Sequence, residues 1–427
     1  MSLALAFFFA VLAIGVPVAF AMGLAGVAYI VVTGQVSINV LPTIMFGAMD
    51  SFPLLAVPLF IIAGDLMGRS GMLERLVELA KAILGRLRGS LAHVTIASSM
   101  AFGGISGVSL ADAAAIGKTL IPSLLKDGYP PGFAAAITAA SCVMGAIIPP
   151  SVGMIIIAYI YGGKLSVGYL FLSGIVPGVF VGLSQMLMVA AVAKRRNFPR
   201  GRETWSSVEI LRSLRRAILG LGMPVIVIGG ILTGFFTPTE AGAVAVAYAF
   251  LFGMVGGNHL SWNDITQSLL LSAKLSGVIF VMLATSQVFS WLLILNQVPQ
   301  QIGPWLQSIM NSPEAFLLTV MVVFIILGTV LEGVPVMIMV IPVVAPIAPL
   351  FNVEPHHLAL VMLMATQFAI LSPPVALAVF IVCPIAGCTV ADATRESLPY
   401  TFCILLVTLA VIFFPALSQT IPRLAGY

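Results

Sequence analysis

Apolar stretches of about twenty residues recur along this chain, each long enough to cross the hydrocarbon layer of a bilayer as an α-helix. Hydrophobic residues make up 60% of the 427 residues and charged residues only 8%. A soluble domain carries about 25% charged residues, so a soluble globular fold is excluded. The chain is therefore predicted to be an all-α polytopic membrane protein embedded in the lipid bilayer.

The positive charges are concentrated in two short stretches. Of 19 Lys and Arg residues, eight lie between Lys194 and Arg216 and five lie between Arg69 and Arg88. By the positive-inside rule both stretches are expected to face the cytoplasm. Their basic residues belong to loops or interfacial helices, so the net charge of +4 predicts no nucleic-acid partner. Residues 194–216 are assigned as a basic cytoplasmic connector between two halves.

A short polar run lies inside one of the apolar regions. Between Phe102 and Asp112 it holds three glycines, two serines and one carboxylate. The apolar arms on either side, 91–101 and 113–125, are each too short to cross the bilayer. Irregular backbone is tolerated at bilayer depth where it lines a cavity. A re-entrant hairpin over about 91–125 is therefore predicted, with this run as its tip.

Tandem prolines interrupt the next apolar region, at about 133–161. Because Pro149-Pro150 lacks two amide donors and restricts the residue before it, the helix is expected to break there. The second half of the chain holds the same pair of features. A second hairpin is expected at about 313–350, and a second broken helix at about 358–386 with its break at Pro373-Pro374.

An internal repeat relates the two halves at a shift of 224 residues (328 − 104). The shift places Gly104 on Gly328, Pro122 on Pro346, Pro131 on Pro355, Pro149-Pro150 on Pro373-Pro374 and Gly163 on Gly387. Counting crossings from the basic connector puts the second hairpin on the opposite side of the membrane from the first. Residues 1–193 and 217–427 are therefore predicted to form an inverted-topology repeat. This architecture is typical of secondary transporters, whose site lies near the bilayer midplane.

Four sets of helix ends are expected at bilayer depth, two at hairpin tips and two at proline breaks. Carbonyl groups freed before the prolines can coordinate a small cation, and the N–H groups of helices restarting at Ser151 and Val375 can bind an anion. Oxygen-rich side chains suit a hard monovalent ion, so the residues predict binding of Na⁺ with a carboxylate substrate. The candidate substrate-binding residues are Ser106, Ser109, Asp112, Ser151, Glu332 and Ser372.

Structural roles are the alternative for several of these residues. Serine and glycine commonly permit close packing of membrane helices. A protonated, structural carboxyl group is the alternative for Glu332. Asp112 and Glu332 are nevertheless the sharpest candidates, because intramembrane carboxylates are usually functional.

No constellation in the sequence indicates catalysis. The four histidines are not arranged for it, and neither HExxH nor GxSxG is present. An intramembrane enzyme would need a paired nucleophile and base or a metal cluster, so the chain is predicted not to be an enzyme. Packed positions are predicted for the four cysteines, which lie in apolar surroundings with no zinc or redox spacing: Cys142, Cys383, Cys388 and Cys403.

Several motifs make the chain resemble a known family over essentially its whole length. They are segments 51–64, 87–93, 104–117, 147–151 and 236–241, which read SFPLLAVPLFIIAG, LRGSLAH, GISGVSLADAAAIG, IIPPS and FTPTEA. With them the chain resembles the large membrane subunit of tripartite ATP-independent periplasmic (TRAP) transporters. The resemblance implies an elevator-type, sodium-coupled importer in the bacterial inner membrane. It also implies a small four-helix membrane subunit as partner, and a periplasmic binding protein that delivers an organic-acid substrate.

The chain departs from the family pattern mainly at the second break. The pattern's Thr-Pro-Pro-Val-Gly is here Ser372-Pro-Pro-Val-Ala376, and the glycine three residues before that threonine is Ala369. At the first hairpin the pattern's Ser-Gly-Ser is Ser106-Gly-Val108, and a proline common before the first break is Ala146. The sodium stoichiometry is therefore left open. The predicted Na⁺-binding residues are Gly104, Ser106, Gly145, Ile148, Gly328, Thr329, Ala369 and Ser372.

The predicted function is sodium-coupled import of an organic acid by the large membrane subunit of such a system. A transport domain formed by both hairpins and both broken helices would slide against a scaffold formed by the remaining spans. A stand-alone cation-coupled carboxylate transporter that needs no binding protein is the alternative.

Overall fold

A computed structural model describes residues 2–34, 36–199, 201, 206–255, 260–373 and 375–427. Pro374 of the second predicted break lies outside the described residues. In chain order the helices are α1 (Ser2–Ala13), α2 (Val18–Thr33), α3 (Val40–Met49), α4 (Ala56–Arg69), α5 (Met72–Leu84), α6 (Ser90–Ser106), α7 (Ser109–Lys126), α8 (Pro131–Cys142), α9 (Met144–Ile147), α10 (Val152–Ile160), α11 (Val167–Arg195), α12 (Ser207–Leu232), α13 (Pro238–Val255), α14 (Trp262–Leu295), α15 (Val298–Ile309), α16 (Pro313–Gly328), α17 (Gly333–Val344), α18 (Pro355–Ala369), α19 (Leu377–Ala386), α20 (Val390–Phe413) and α21 (Ala416–Leu424). Within the described ranges the fold is all-helical, as predicted.

Helices long and apolar enough to cross a membrane account for much of the described chain. Five meet that condition by length and composition: Phe52–Arg69, Val167–Arg195, Ser207–Leu232, Trp262–Leu295 and Val390–Phe413. A sixth candidate is the bent pair Pro131–Ile147 and Val152–Ile160, whose two parts meet at 47° across the first proline break. These helices have the length and composition that a multi-pass membrane protein needs, as predicted, while the inverted relation of the two halves and their domain bounds stay predictions.

The first hairpin differs from the prediction at its tip. α6 extends to Ser106 and α7 begins at Ser109, so only Gly107 and Val108 leave the helical conformation. The prediction of irregular backbone throughout residues 102–112 is therefore wrong. The glycines inside it serve close packing, because a Cβ on Gly103 would lie 2.8 Å from the Cα of Gly145. Gly107 ends α6 with a φ of 66°, a conformation that glycine adopts without strain.

Three further segments add detail to the fold. The sequence allows one long helix or two short ones over residues 3–32, and the structure has the two short helices α1 and α2, since the chain turns at Gly15 and Pro17. Two more short helices are α15, an amphipathic helix that follows α14, and α21, which follows α20. In the basic connector, residues 207–216 form the first turns of α12, because Ser206 caps that helix by accepting from the Glu209 amide.

The helices pack in two groups. One contains α4 against α13 and α14, with α2, α3, α5 and α12 around them. The other, called the hairpin group, contains both hairpins (α6–α7 and α16–α17), the broken helices and α20. The groups meet closely at the first hairpin tip, where a Cβ on Gly64 of α4 would lie 2.7 Å from the Cα of Ser106. α5 packs on α6 and α14 packs on α17, which are further contacts between the groups. The candidate site lies along this boundary.

Candidate functional site

A cavity of about 920 Å³ lies between the two groups of helices. Its walls include Ser106 and Ser109 at the first hairpin tip and Glu332 at the second. Thr366 and Gln367 of α18 line it as well, and α4 and α14 form the opposite wall. The fold therefore brings both hairpins and both broken helices to one water-accessible space.

The first hairpin tip is organised around a buried carboxylate. Asp112 lies in the first turn of α7 and is fully buried, and its Oδ1 accepts a hydrogen bond from the Ser106 hydroxyl. Its Oδ2 has no hydrogen-bond partner among the described residues and faces Gly145, where any side chain would collide with it. A buried carboxylate oxygen without a donor is costly in apolar surroundings. This oxygen is therefore a strong candidate cation ligand.

Ser109 connects the first hairpin to the second broken helix. Its hydroxyl donates to Gln367 Oε1 at 3.1 Å, across 258 residues of sequence. The Gln367 amide in turn donates to the Thr366 hydroxyl at 3.0 Å and to the Leu363 carbonyl at 3.2 Å. All three polar side chains are buried, and all three line the cavity. The chain thus offers a short polar network beside the hairpin tip.

The first proline break is joined to the same tip through its backbone. The Val152 amide donates to the Gly107 carbonyl at 3.2 Å, and a Cβ on Gly107 would lie 2.5 Å from the Pro150 carbonyl oxygen. Gly104 is in ordinary contact with the break, since a Cβ on it would lie 3.5 Å from the Pro149 carbonyl oxygen. The Ile148 amide donates to Met144 at 2.7 Å, so its nitrogen is already occupied. These contacts hold the carbonyl groups of the break against the glycines of the hairpin.

Ser151 takes a capping position at the start of α10. Its hydroxyl accepts from the Met154 amide at 3.3 Å and donates to the Ala146 carbonyl at 2.6 Å. The side chain is fully buried and does not line the cavity. The structure therefore shows Ser151 as the residue that starts the second half of the broken helix.

The second hairpin tip is built differently. Gly328 ends α16 against Ala369, and a Cβ on Gly328 would lie 2.7 Å from the Ala369 methyl group. The Thr329 hydroxyl donates to the Ile326 carbonyl of its own helix at 2.7 Å. Glu332 precedes α17 and lines the cavity, and its side chain makes no hydrogen bond or ion pair within the described ranges. Apolar contact, rather than a polar network, closes this tip.

The second break leaves Ser372 half-exposed and away from the cavity lining. Its carbonyl accepts from the Ala376 amide at 3.0 Å. Ala376 itself has a φ of 36°, in the left-handed region that a residue with a Cβ seldom adopts. The glycine of the family pattern would take this conformation without strain.

Sequence reasoning missed several residues that line the cavity. Gln367 and Thr366 lie in a helix that reads as apolar, although an amide in such a helix is itself a signal. Charged residues also face the cavity, namely Asp65, Arg69, Glu74 and Lys118. Arg69 donates to Asp65 at 2.7 Å, so these two form an ion pair on α4.

Comparison with known proteins places the chain in one family. Residues 5–417 match the model of the tripartite ATP-independent periplasmic transporter, DctM component. The chain is 34% identical to the sialic acid TRAP transporter large permease protein SiaM of Vibrio cholerae, over 97% of this chain and 96% of the relative. It is 33% identical to the C4-dicarboxylate TRAP transporter large permease protein DctM of Pseudomonas aeruginosa, over 95% and 94% of the two chains.

A solved structure supports the same fold. The chain is similar to the YdaH transporter of Alcanivorax borkumensis, with a TM-score of 0.58 and 15% sequence identity. The similarity covers 87% of this chain and 86% of that one. The sequence relatives are transporter permease proteins and not enzymes, which confirms that prediction. The chain therefore belongs to the DctM family, the large permease proteins of TRAP transporters.

Proposed function

We propose that this protein imports an organic acid together with Na⁺, as the large membrane subunit of a tripartite transporter. The observation that carries the proposal is Asp112. Its buried Oδ2 lacks a partner among the described residues and faces Gly145 of α9, which lies just before the first break. A small cation bound there would satisfy the carboxylate at bilayer depth, where an uncompensated charge is costly.

The substrate would bind in the cavity next to that ion. The hydroxyl groups of Ser106 and Ser109 and the amide of Gln367 supply hydrogen-bonding groups at the lining. The N-terminus of α7 begins at Ser109, so its free amide groups favour an anion there. Relatives named for sialic acid and C4-dicarboxylates are consistent with a carboxylate substrate.

Movement of the hairpin group against the other helices would carry both ligands across the membrane. The contact surface suits sliding, because α4 presents Gly64 and Gly68, which have no side chains, to Ser106 and to the Phe102 ring. We assign the hairpin group as the transport domain and the α4–α13–α14 group as the scaffold of an elevator-type mechanism. The two halves would be inverted repeats of each other.

The remaining parts of the system follow from the family. A small four-helix membrane subunit would dock on the scaffold, and a periplasmic binding protein would deliver the substrate. The bacterial inner membrane is the expected location. The basic stretches would then face the cytoplasm. Arg69 and Lys118, which line the cavity, would lie in the part of it nearest the cytoplasm.

Uptake of labelled organic acids into proteoliposomes tests the proposal directly. The liposomes contain this chain with its small subunit, and the assay compares sodium with choline gradients, with and without the binding protein. Uptake that requires both sodium and the binding protein is the expected result. Sodium-dependent uptake without the binding protein would instead indicate the stand-alone transporter. Sodium-independent uptake would overturn the assignment of Na⁺ as the coupling ion.

A further inference from the structure

Two cysteines that are separated in sequence by five positions meet at the end of α19. The Cys388 and Cys383 Sγ atoms are 3.6 Å apart, with the Cys388 thiol directed at the Cys383 sulfur. The backbone produces this contact, because the amides of Gly387 and Cys388 both donate to the Cys383 carbonyl, at 2.9 and 3.3 Å. In a helix ending of this kind the first and last residues of the turn bring their side chains together.

The pair is accessible from one end of the molecule. Cys388 is partly exposed, whereas Cys383 is 3% exposed. The next residues begin α20, whose Glu396 forms an ion pair at 2.8 Å with Arg196 at the start of the basic connector. The thiols therefore lie at the end that the positive-inside rule assigns to the cytoplasm.

The helix that carries Cys383 also supports the candidate site. Ile385 and Val382 of α19 pack on Gly117 of α7, where an added Cβ would lie 3.3 and 3.5 Å from their side chains. α7 is the arm of the first hairpin that holds Asp112. A covalent constraint at the end of α19 is thus one packing layer away from the hairpin.

We propose that Cys383 and Cys388 form a reversible thiol–disulfide pair, driven by a low-molecular-weight disulfide, that slows transport when oxidised. The Cys388 thiolate attacks one sulfur of the small disulfide, which forms a mixed disulfide and releases one thiol. The Cys383 thiol then loses its proton and attacks Cys388 Sγ, which releases the second thiol. Two electrons and two protons pass from the protein to the small disulfide. In a reducing cytoplasm the pair stays in its dithiol form.

Thiol counting in glutathione buffers tests the modification without relying on the proposed function. The purified chain with its small subunit, in nanodiscs, is equilibrated at graded ratios of glutathione disulfide to glutathione. It is then denatured and alkylated with N-ethylmaleimide, and its mass is measured. Of the 4 cysteines, two are expected to lose reactivity together, with a peptide cross-link between 383 and 388. Four reactive thiols at every ratio would overturn the proposal.

The effect on transport rests on the proposed function and is measured separately. Oxidised proteoliposomes are expected to lose about fivefold in initial uptake rate, at the lower end of typical coupling between distant sites, and to regain it with dithiothreitol. Cys383→Ser should abolish the oxidative loss, whereas Cys403→Ser should preserve it, since the Cys403 thiol donates to the Ser184 carbonyl. Equal oxidative loss in wild type and Cys383→Ser would refute the regulation. Absent uptake in the reduced protein would refute the proposed function, and the thiol count would still decide the pair.

Discussion

The two hairpin tips, which the predicted repeat aligns at Gly104 and Gly328, are held by different interactions. At the first tip, Ser106 donates to the buried Asp112, and Ser109 reaches Gln367 across the cavity. At the second tip, the Thr329 hydroxyl donates to the Ile326 carbonyl of its own helix, and Gly328 packs on the Ala369 methyl group. Polar contacts between separate elements thus fix the first tip, and apolar contact fixes the second.

The comparison teaches which tip is prepared to bind an ion. Preorganised oxygen ligands lower the cost of binding because little has to be ordered when the ion arrives. The first tip offers an orphaned carboxylate oxygen in a fixed position, whereas the second has a methyl group at the position where the family pattern has a glycine. We therefore expect the first tip to dominate sodium binding.

Removing the polar centre of the first tip is expected to have the largest effect. Asp112→Ala or Ser106→Ala should reduce sodium-driven uptake to background while the protein still inserts in the membrane. Asp112→Ala deletes the carboxylate and leaves the Ser106 hydroxyl without its acceptor. Labelled uptake in proteoliposomes, with equal amounts of inserted protein, measures this.

Ser173→Ala is the matched control for those variants. Ser173 is also a buried serine, but its hydroxyl donates to the Tyr169 carbonyl of its own helix at 2.9 Å. Near-normal uptake is expected for it. Normal uptake by both Asp112→Ala and Ser106→Ala would refute the assignment of the first tip as the ion-binding site.

Glu332→Gln tests the one carboxylate that the second tip presents to the cavity. The side chain keeps its size and loses its charge, and Glu332 has no partner within the described chain that would be left unpaired. Uptake should fall by about tenfold, in line with one charge-assisted hydrogen bond to a ligand, and sodium affinity should stay unchanged. Glu314→Gln, in the first turn of α16, is the control. A loss as complete as that of Asp112→Ala would make the two tips equivalent.

Gly328→Ala asks whether apolar packing really closes the second tip. The added methyl group would lie 2.7 Å from Ala369, so overpacking of about 1–3 kcal/mol is expected, with a lower melting temperature and slower uptake. Ala369→Gly in the same chain should restore both, because it removes the opposing methyl group. Ala365→Gly, one turn earlier in α18, should not. If Ala369→Gly and Ala365→Gly had equal effects on the Gly328→Ala protein, the contact between Gly328 and Ala369 would be contradicted.

Much of the fold could be read from sequence, because apolar length and tandem prolines act locally. The breaks at Pro149-Pro150 and the short arms of the hairpins follow from backbone chemistry that needs no partner. The hairpin tip could not be read in detail. The glycine-rich run predicts a tip that begins near Phe102, yet Gly103 lies in a continuous helix and packs against Gly145. A sequence does not reveal what lies opposite a glycine.

The polar network was harder to foresee for the same reason. Ser109 was a candidate from its position in the hairpin, but its partner Gln367 is 258 residues away. Cys383 and Cys388 have no recognised redox spacing, and only the turn at Gly387 brings their thiols together. Contacts between distant elements depend on how the helices pack, and the spacing of residues along one helix carries no information about that packing.

The smallest expected effect concerns backbone strain at the second break. Ala376 has a φ of 36°, and a left-handed conformation costs a residue with a Cβ about 1 kcal/mol. Ala376→Gly should therefore raise the melting temperature slightly, by about 1–2 °C, because the relief is partly offset by the entropy that glycine gains when unfolded. Ala378→Gly, two residues later inside α19, should lower it, since no strain is relieved there. Opposite signs for these neighbouring substitutions would locate strain at the second break, while equal losses would show that Ala376 is held there by packing alone.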